Sequence, residues 1–153
     1  IGDKPVFIKI SPDLSEHELD GIIKVSKNHR VDGFVCTNLT KNRQAVSAKI
    51  DGNDDLPKHG GLSGKVVEEL SNQFIANIYK KTKGQYVLIG VGGVFSAVDA
   101  YKKIRLGASL VQLATGMIFE GPQLIGEINF GLVDLLKKDG LKNISQAIGL
   151  DVK

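Results

Sequence analysis

Apolar residues fall along this chain in two rhythms. Four short runs, at 6–10, 33–38, 86–93 and 109–115, are rich in Val, Ile, Leu and Phe, and each ends in a small, polar or glycine-bearing turn. After each run the apolar positions recur at three- and four-residue spacing, the period of an amphipathic helix. Strand then helix, repeated in order, predicts a parallel α/β architecture.

The punctuation agrees with the periodicity. Val6-Phe-Ile-Lys-Ile10 is the first strand, broken by Ser11-Pro12. Ser15 with Glu18 three residues on forms a capping box, and Leu19, Ile22 and Ile23 are the stripe of the helix it opens. Asp32-Gly33 turns the chain into the second strand. A helix is predicted from about 63 to 81 on Val66, Val67, Leu70, Phe74, Ile75 and Ile78, stopped by Gly84. The third strand runs over 86–91. Ser96 caps the next helix with Asp99 in the box position, Ala100, Tyr101 and Ile104 face inward, and Gly107 ends it. After the fourth strand, 110–113, Gly121-Pro122 starts a last long helix with Pro at its first position and Leu124, Ile128, Leu132 and Leu135 as its stripe. Residues 143–150 read as a short terminal helix. The polar stretch 39–61 has the length of a functional lid or mobile segment. Its acidic run 51–55 lacks the spacing and terminal Glu of a calcium loop.

Size sharpens this into a fold. A (β/α)8 barrel takes about 250 residues; the 153 present hold four strand–helix units. The turns after the third and fourth strands, Gly92-Gly93 and Thr115-Gly116, match the barrel's phosphate site after strands seven and eight. The expected fold is therefore the second half, the last four units, of a (β/α)8 barrel. Residues 1–153 would be the C-terminal part of one domain whose N-terminal half lies outside the chain. The start at Ile1, within a few residues of a strand, fits a piece of a longer protein.

Charge and cysteine content remove other classes. A net charge of +3 is too small to argue for nucleic acid. The clusters Lys80, Lys81, Lys83 and Lys137, Lys138 sit near helix C-termini, where cations suit the helix dipole. The single cysteine, Cys36, lies in an apolar strand and reads as an inert buried thiol. No apolar run approaches the roughly 20 residues that span a bilayer. His17, His29 and His59 lie in polar segments and read as surface residues; no metal ligand set is expected.

Chemistry is expected at the C-terminal ends of the strands. Lys9 is flanked by apolar neighbours, and with both sheet faces covered its ammonium would be buried and would call for an anion. Thr37-Asn38 ends the second strand; the asparagine either serves a turn or offers two donors and an acceptor to an amide- or imide-bearing ligand. Gly60-Gly-Leu-Ser-Gly64 opens a helix with free amides, a site for an anion.

At these residues the chain resembles the C-terminal half of the class 2, quinone-linked dihydroorotate dehydrogenases. The segments that carry the resemblance are Val6-Phe-Ile-Lys-Ile-Ser-Pro-Asp-Leu14, Asp32-Gly-Phe-Val-Cys-Thr-Asn38, Gly60-Gly-Leu-Ser-Gly-Lys65, Ile89-Gly-Val-Gly-Gly-Val94, Gly107-Ala-Ser-Leu-Val-Gln-Leu113 and Ala147-Ile-Gly149, in family order over nearly the whole chain. The resemblance implies FMN-dependent oxidation of dihydroorotate to orotate, with ubiquinone as acceptor, in pyrimidine biosynthesis. It implies that Lys9 lies beside the flavin and stabilises its reduced charge, and that Thr37 also touches FMN. Ser63, Gly64, Gly92, Gly93, Ala114 and Thr115 would hold its phosphate and ribityl region, and Asn38 and Leu39 would meet the substrate. The catalytic base, a serine in this family, and the quinone-admitting helices belong to the N-terminal half, which would be this chain's obligate partner. Membrane contact would come only through that half, at the mitochondrial inner membrane in a eukaryote or the cytoplasmic membrane in a bacterium.

Two positions depart from the family pattern. Leu39 stands where a threonine hydroxyl is usual, so either Thr40 compensates or substrate is held less tightly. Ala114 replaces a usual tyrosine, which spares a backbone contact to phosphate and removes a side-chain one. Two other readings remain: a different FMN- or phosphate-binding barrel oxidoreductase, and a non-catalytic half-barrel module.

Overall fold

A computed structural model describes residues 3–47 and 59–152; the acidic run 51–55 lies outside them. Four strands, β1 (Phe7–Ile10), β2 (Gly33–Cys36), β3 (Val87–Val91) and β4 (Leu110–Gln112), form one sheet in the order β1-β2-β3-β4, every pair parallel. Each strand lies beside its successor in the chain. The order never reverses, as it would in a doubly wound sheet, so the fold is four consecutive units of a barrel wall.

Side-chain parity separates the two faces. Ile8, Ile10, Phe34, Cys36 and Leu88 face α1 (Glu16–Asn28) and α3 (Glu68–Thr82), joining Leu19, Ile23, Phe74, Ile75 and Ile78 in the main core. The row in register on the opposite face is Lys9, Val35, Ile89 and Leu110. That is the face a closed barrel would turn inward. A second core joins Val94, just before α4 (Ala97–Arg105), and Ala100 within that helix to Leu124 and Ile128 of α6 (Leu124–Lys138). A short α2 (Gln44–Ser47) follows β2, and α5 (Thr115–Glu120) follows β4.

Local chemistry explains most element ends. Ser15 and Glu18 close the capping box of α1 reciprocally, the Ser15 amide donating to Glu18 Oε2 at 2.8 Å. Lys80 and Lys81 occupy the last turn of α3, and Lys137 and Lys138 that of α6. Lys81 also reaches Glu16 at 2.9 Å and Asp20 at 2.7 Å on α1.

Four assignments differ from the sequence expectation. The segment after Gly64 begins as a 3-10 turn, Lys65–Val67, before α3 proper. Thr115 is the first residue of α5 rather than a strand end, since β4 stops at Gln112. Pro122 sits in the turn before α6, which starts at Leu124. Residues 143–150 form a 3-10 turn, Ile144–Gln146, and further turns, not a regular helix.

Candidate active site

The strand ends converge on a cleft of about 220 Å³. Its lining includes Lys9 from β1, Thr37, Asn38 and Leu39 after β2, Ser63 and Gly64 before the 3-10 turn, Gly92 and Gly93 after β3, and Ala114 and Thr115 after β4. All ten residues singled out from sequence thus meet in one place, although they span more than a hundred positions of the chain.

Backbone bonds fix the floor. The Asn38 amide donates to Ile10 O at 2.8 Å and the Thr37 amide to Val91 O at 3.0 Å, tying the ends of β1, β2 and β3 together. The Gly92-Gly93 turn then passes tightly over α3. Gly93 has φ +73°, and a Cβ there would lie 2.3 Å from Glu68 Cβ. Gly64 has φ +85°, and a Cβ there would lie 3.0 Å from Thr115 Cγ2. Both turns therefore bring backbone, not side chain, to the cleft.

An ion cluster couples the two glycine turns. Lys65, next to Gly64, pairs with Asp99 at 2.6 Å and Glu68 at 2.7 Å. The other Asp99 oxygen accepts the Phe95 amide at 2.9 Å, just past Gly93. Burial opposes ionisation of Asp99, but the Lys65 ammonium and the Phe95 amide hold its carboxyl below the usual range. Across the cleft, Thr115 Oγ1 donates to Ser63 Oγ at 3.1 Å.

One polar group, Lys9, differs from the sequence expectation, and two others, Asn38 and Thr40, bear on alternatives that the sequence leaves open. Lys9 is exposed, not buried, as is Leu110 at the other end of the same row. Asn38 Oδ1 accepts the Leu39 amide at 2.9 Å, which leaves its NH2 as the group free to meet a ligand. Thr40 does not stand in for the hydroxyl missing at Leu39. It is fully buried, its hydroxyl donates to Asp13, and its backbone pairs with Leu62. Leu39 lies against Gly61, where a Cβ would come within 1.9 Å of Leu39 Cδ1. The position thus offers an apolar wall.

The residues present suit a phosphate-bearing, hydrogen-bonding ligand. The glycine turns form a cradle that Cβ atoms would fill. Ser63 and Thr115 supply hydroxyls, and Thr37 Oγ1 is buried without a partner among the described residues. The cleft lining contains no carboxylate, histidine or cysteine among those residues. Cys36 is buried behind the sheet, its thiol pushed up to about 12 by burial. His17, His29 and His59 are all exposed. Among the described residues no group of His, Cys, Asp and Glu is placed to hold a metal ion, and no helix is long and apolar enough to cross a membrane.

Sequence reading passed over Lys103. It falls on the apolar stripe of α4, three residues after Ala100, which was the available signal. Its side chain is 0% exposed, fitted against Gly90 of β3, where a Cβ would meet Lys103 Cδ at 3.1 Å. Burial pushes its pKa from 10.5 down to about 8; Glu68 on α3 and Asp99 on α4 pull it upward, and Lys102 and Lys65 push it down. Between those two values the unfolded chain holds more protons than the folded one. The stability due to this residue therefore rises with pH from about 8 to 10.5, by about 3 kcal/mol in all. Cys36 acts in the opposite sense above its ordinary value of 9.0. Urea unfolding of the full-length protein and its Lys103→Met variant should isolate the lysine. The difference between the two should move by that amount in favour of wild type from pH 7 to 10.5, and a flat difference would refute it.

A parallel β/α wall with a glycine-cradled cleft at its strand ends defines part of a β/α barrel protein. The family model described as dihydroorotate dehydrogenase matches residues 1–136, and the chain belongs to that family. It is 44% identical over 151 residues to the dihydroorotate dehydrogenase (quinone) of Crocosphaera subtropica, covering 97% of this chain and 40% of that protein. It is 45% identical over 150 residues to the mitochondrial dihydroorotate dehydrogenase (quinone) of Arabidopsis thaliana, covering 98% of this chain and 32% of that protein. The Eimeria tenella enzyme in complex with ferulenol superposes with a TM-score of 0.87 at 37% identity, over 99% of this chain and 39% of that one. The ligand-free enzyme from the same organism gives 0.84 at 37% identity, over 95% and 39%. The chain thus spans about 40% of the length of its bacterial relatives.

Proposed function

We propose that this chain is the FMN-holding part of a quinone-dependent dihydroorotate dehydrogenase, which oxidises dihydroorotate to orotate in pyrimidine biosynthesis and passes the electrons to ubiquinone. The observation that carries the reading is the convergence of Lys9, Asn38 and the two glycine turns in one cleft at the ends of parallel strands.

Bound FMN would supply the redox chemistry, accepting two electrons from the substrate and releasing them to the quinone. Gly64, Gly92 and Gly93 hold its phosphate through backbone amides, with hydroxyls from Ser63 and Thr115 and the backbone of Ala114. Thr37 lends its unpartnered hydroxyl to the cofactor. Lys9 keeps a cation at the end of β1, on the face toward which negative charge develops. Asn38 donates its NH2 to the pyrimidine ring, and Leu39 closes that side with apolar surface. Among the described residues the cleft lining holds no carboxylate, histidine or cysteine, and its Lys9 and Ser63 are assigned to the cofactor; proton removal is assigned to the part of the protein outside this chain. That part also supplies the other half of the barrel and the contact with quinone and membrane: the mitochondrial inner membrane in a eukaryote, the cytoplasmic membrane in a bacterium.

The test uses the full-length protein. It should purify with a flavin spectrum that bleaches when dihydroorotate is added without oxygen and returns with a ubiquinone analogue. Flavin-free protein that cannot be reconstituted with FMN, or a bound flavin that dihydroorotate leaves oxidised, would overturn the reading.

A further inference from the structure

The Lys103 ammonium lies on the helix side of the sheet, behind the cleft. Its hydrogen bonds go to two neutral acceptors, Ser71 Oγ at 3.1 Å and Asn72 Oδ1 at 2.8 Å. The nearby carboxylates Glu68 and Asp99 are both engaged by Lys65. Burying a cation without a paired carboxylate is costly, so its retention calls for an anion or a positioning task.

The hydrogen bonds show the task. Ser71 Oγ accepts from Lys103 and so directs its own proton onward, to Val91 O at 2.6 Å. Val91 O also accepts the Thr37 amide at 3.0 Å. The Val91–Gly92 peptide is thus held from two sides, and because a peptide is planar the Gly92 N–H is fixed with it. Gly92 lines the cleft; Ser71 and Lys103 do not. A donor chain from a cation to that carbonyl also polarises the peptide and strengthens its N–H as a donor.

We propose that Lys103 is a positioning residue for the phosphate end of the cleft: through Ser71 it fixes and polarises the Val91–Gly92 peptide, and its buried charge favours a phosphate-bearing ligand over a neutral one. This rests on the phosphate-binding reading above. It touches no ligand directly, so the readout must separate phosphate recognition from folding.

The experiment compares FMN with riboflavin, which lacks the phosphate, on full-length protein stripped of flavin. Dissociation constants are measured for wild type, Lys103→Met and Ser71→Ala, with melting temperatures alongside. Wild type should prefer FMN strongly; if it binds both equally, the phosphate reading fails and this proposal with it, whatever the variants do. Lys103→Met should lower the FMN-to-riboflavin preference by about tenfold or more, and Ser71→Ala by several-fold, with riboflavin affinity unchanged. In wild type the preference should also decline from pH 7 to 9.5 as the ammonium loses its proton, and in Lys103→Met it should not. Folded variants that keep the wild-type preference, or lose both flavins equally, would overturn the proposal. If Lys103→Met does not fold, Ser71→Ala decides: a reduced preference supports it and an unchanged one overturns it.

Discussion

Lys9→Ala in the full-length protein is expected to lower kcat for dihydroorotate oxidation by about 10²–10³-fold, the usual cost of removing one preorganised charge-stabilising group. The fold should survive. Lys9 is exposed at the end of β1, and among the described residues its ammonium has no hydrogen-bond or ion-pair partner whose loss would destabilise the chain. Its neighbours Ile8 and Ile10 point the other way into the main core, and the truncation leaves them untouched. Stopped-flow flavin reduction and a melting curve on the same sample read both quantities. A variant with wild-type kcat and wild-type melting would remove Lys9 from the chemistry. A variant that is slow and also unfolded would make it a structural lysine. Lys9→Arg keeps the charge and should recover part of the rate.

Gly93→Ala should cost both stability and flavin. The residue has φ +73°, where a Cβ is strained, and that Cβ would lie 2.3 Å from Glu68 Cβ and 2.7 Å from Glu68 Cα. The left-handed conformation costs about 1–2 kcal/mol, and overpacking against a helix backbone adds about 1–3 kcal/mol. A loss of about 2–5 kcal/mol in urea unfolding is expected, with substoichiometric flavin because the turn can reach its position only by moving away from α3. Gly126→Ala is the matched control. It lies within α6 with nothing within 4 Å of its would-be Cβ, and should stay within about 1 kcal/mol of wild type with full flavin. If the two variants behave alike, the close passage of the Gly92-Gly93 turn over α3 is not what shapes the cleft.

The four strands were legible because each is an apolar run with turn chemistry at its end, and Ser15 with Glu18 marked α1 to the residue. The cleft residues were legible for a related reason: in a parallel β/α wall the strand ends share one side, so reading where strands stop also reads what meets there. The boundaries after β4 were less legible. Thr115 looks like a strand terminus in sequence, yet α5 begins on it, because the apolar residues that follow suit either state over so short a stretch.

Sequence alone determined the order of strands and helices, the half-barrel class, the family and the set of residues at the strand ends. Those depend on periodicity and local turn chemistry, which are written along the chain. Only the tertiary structure decided which of two lysines is buried. Lys9, amid apolar neighbours, is exposed at the end of β1, while Lys103, in a helix rich in charge, is enclosed over Gly90. It likewise decided that the Thr40 hydroxyl is committed to Asp13, and that Leu39 fills its side of the cleft unassisted. Burial and hydrogen-bond partnership are set by residues distant in sequence, and no local pattern encodes which of them arrive.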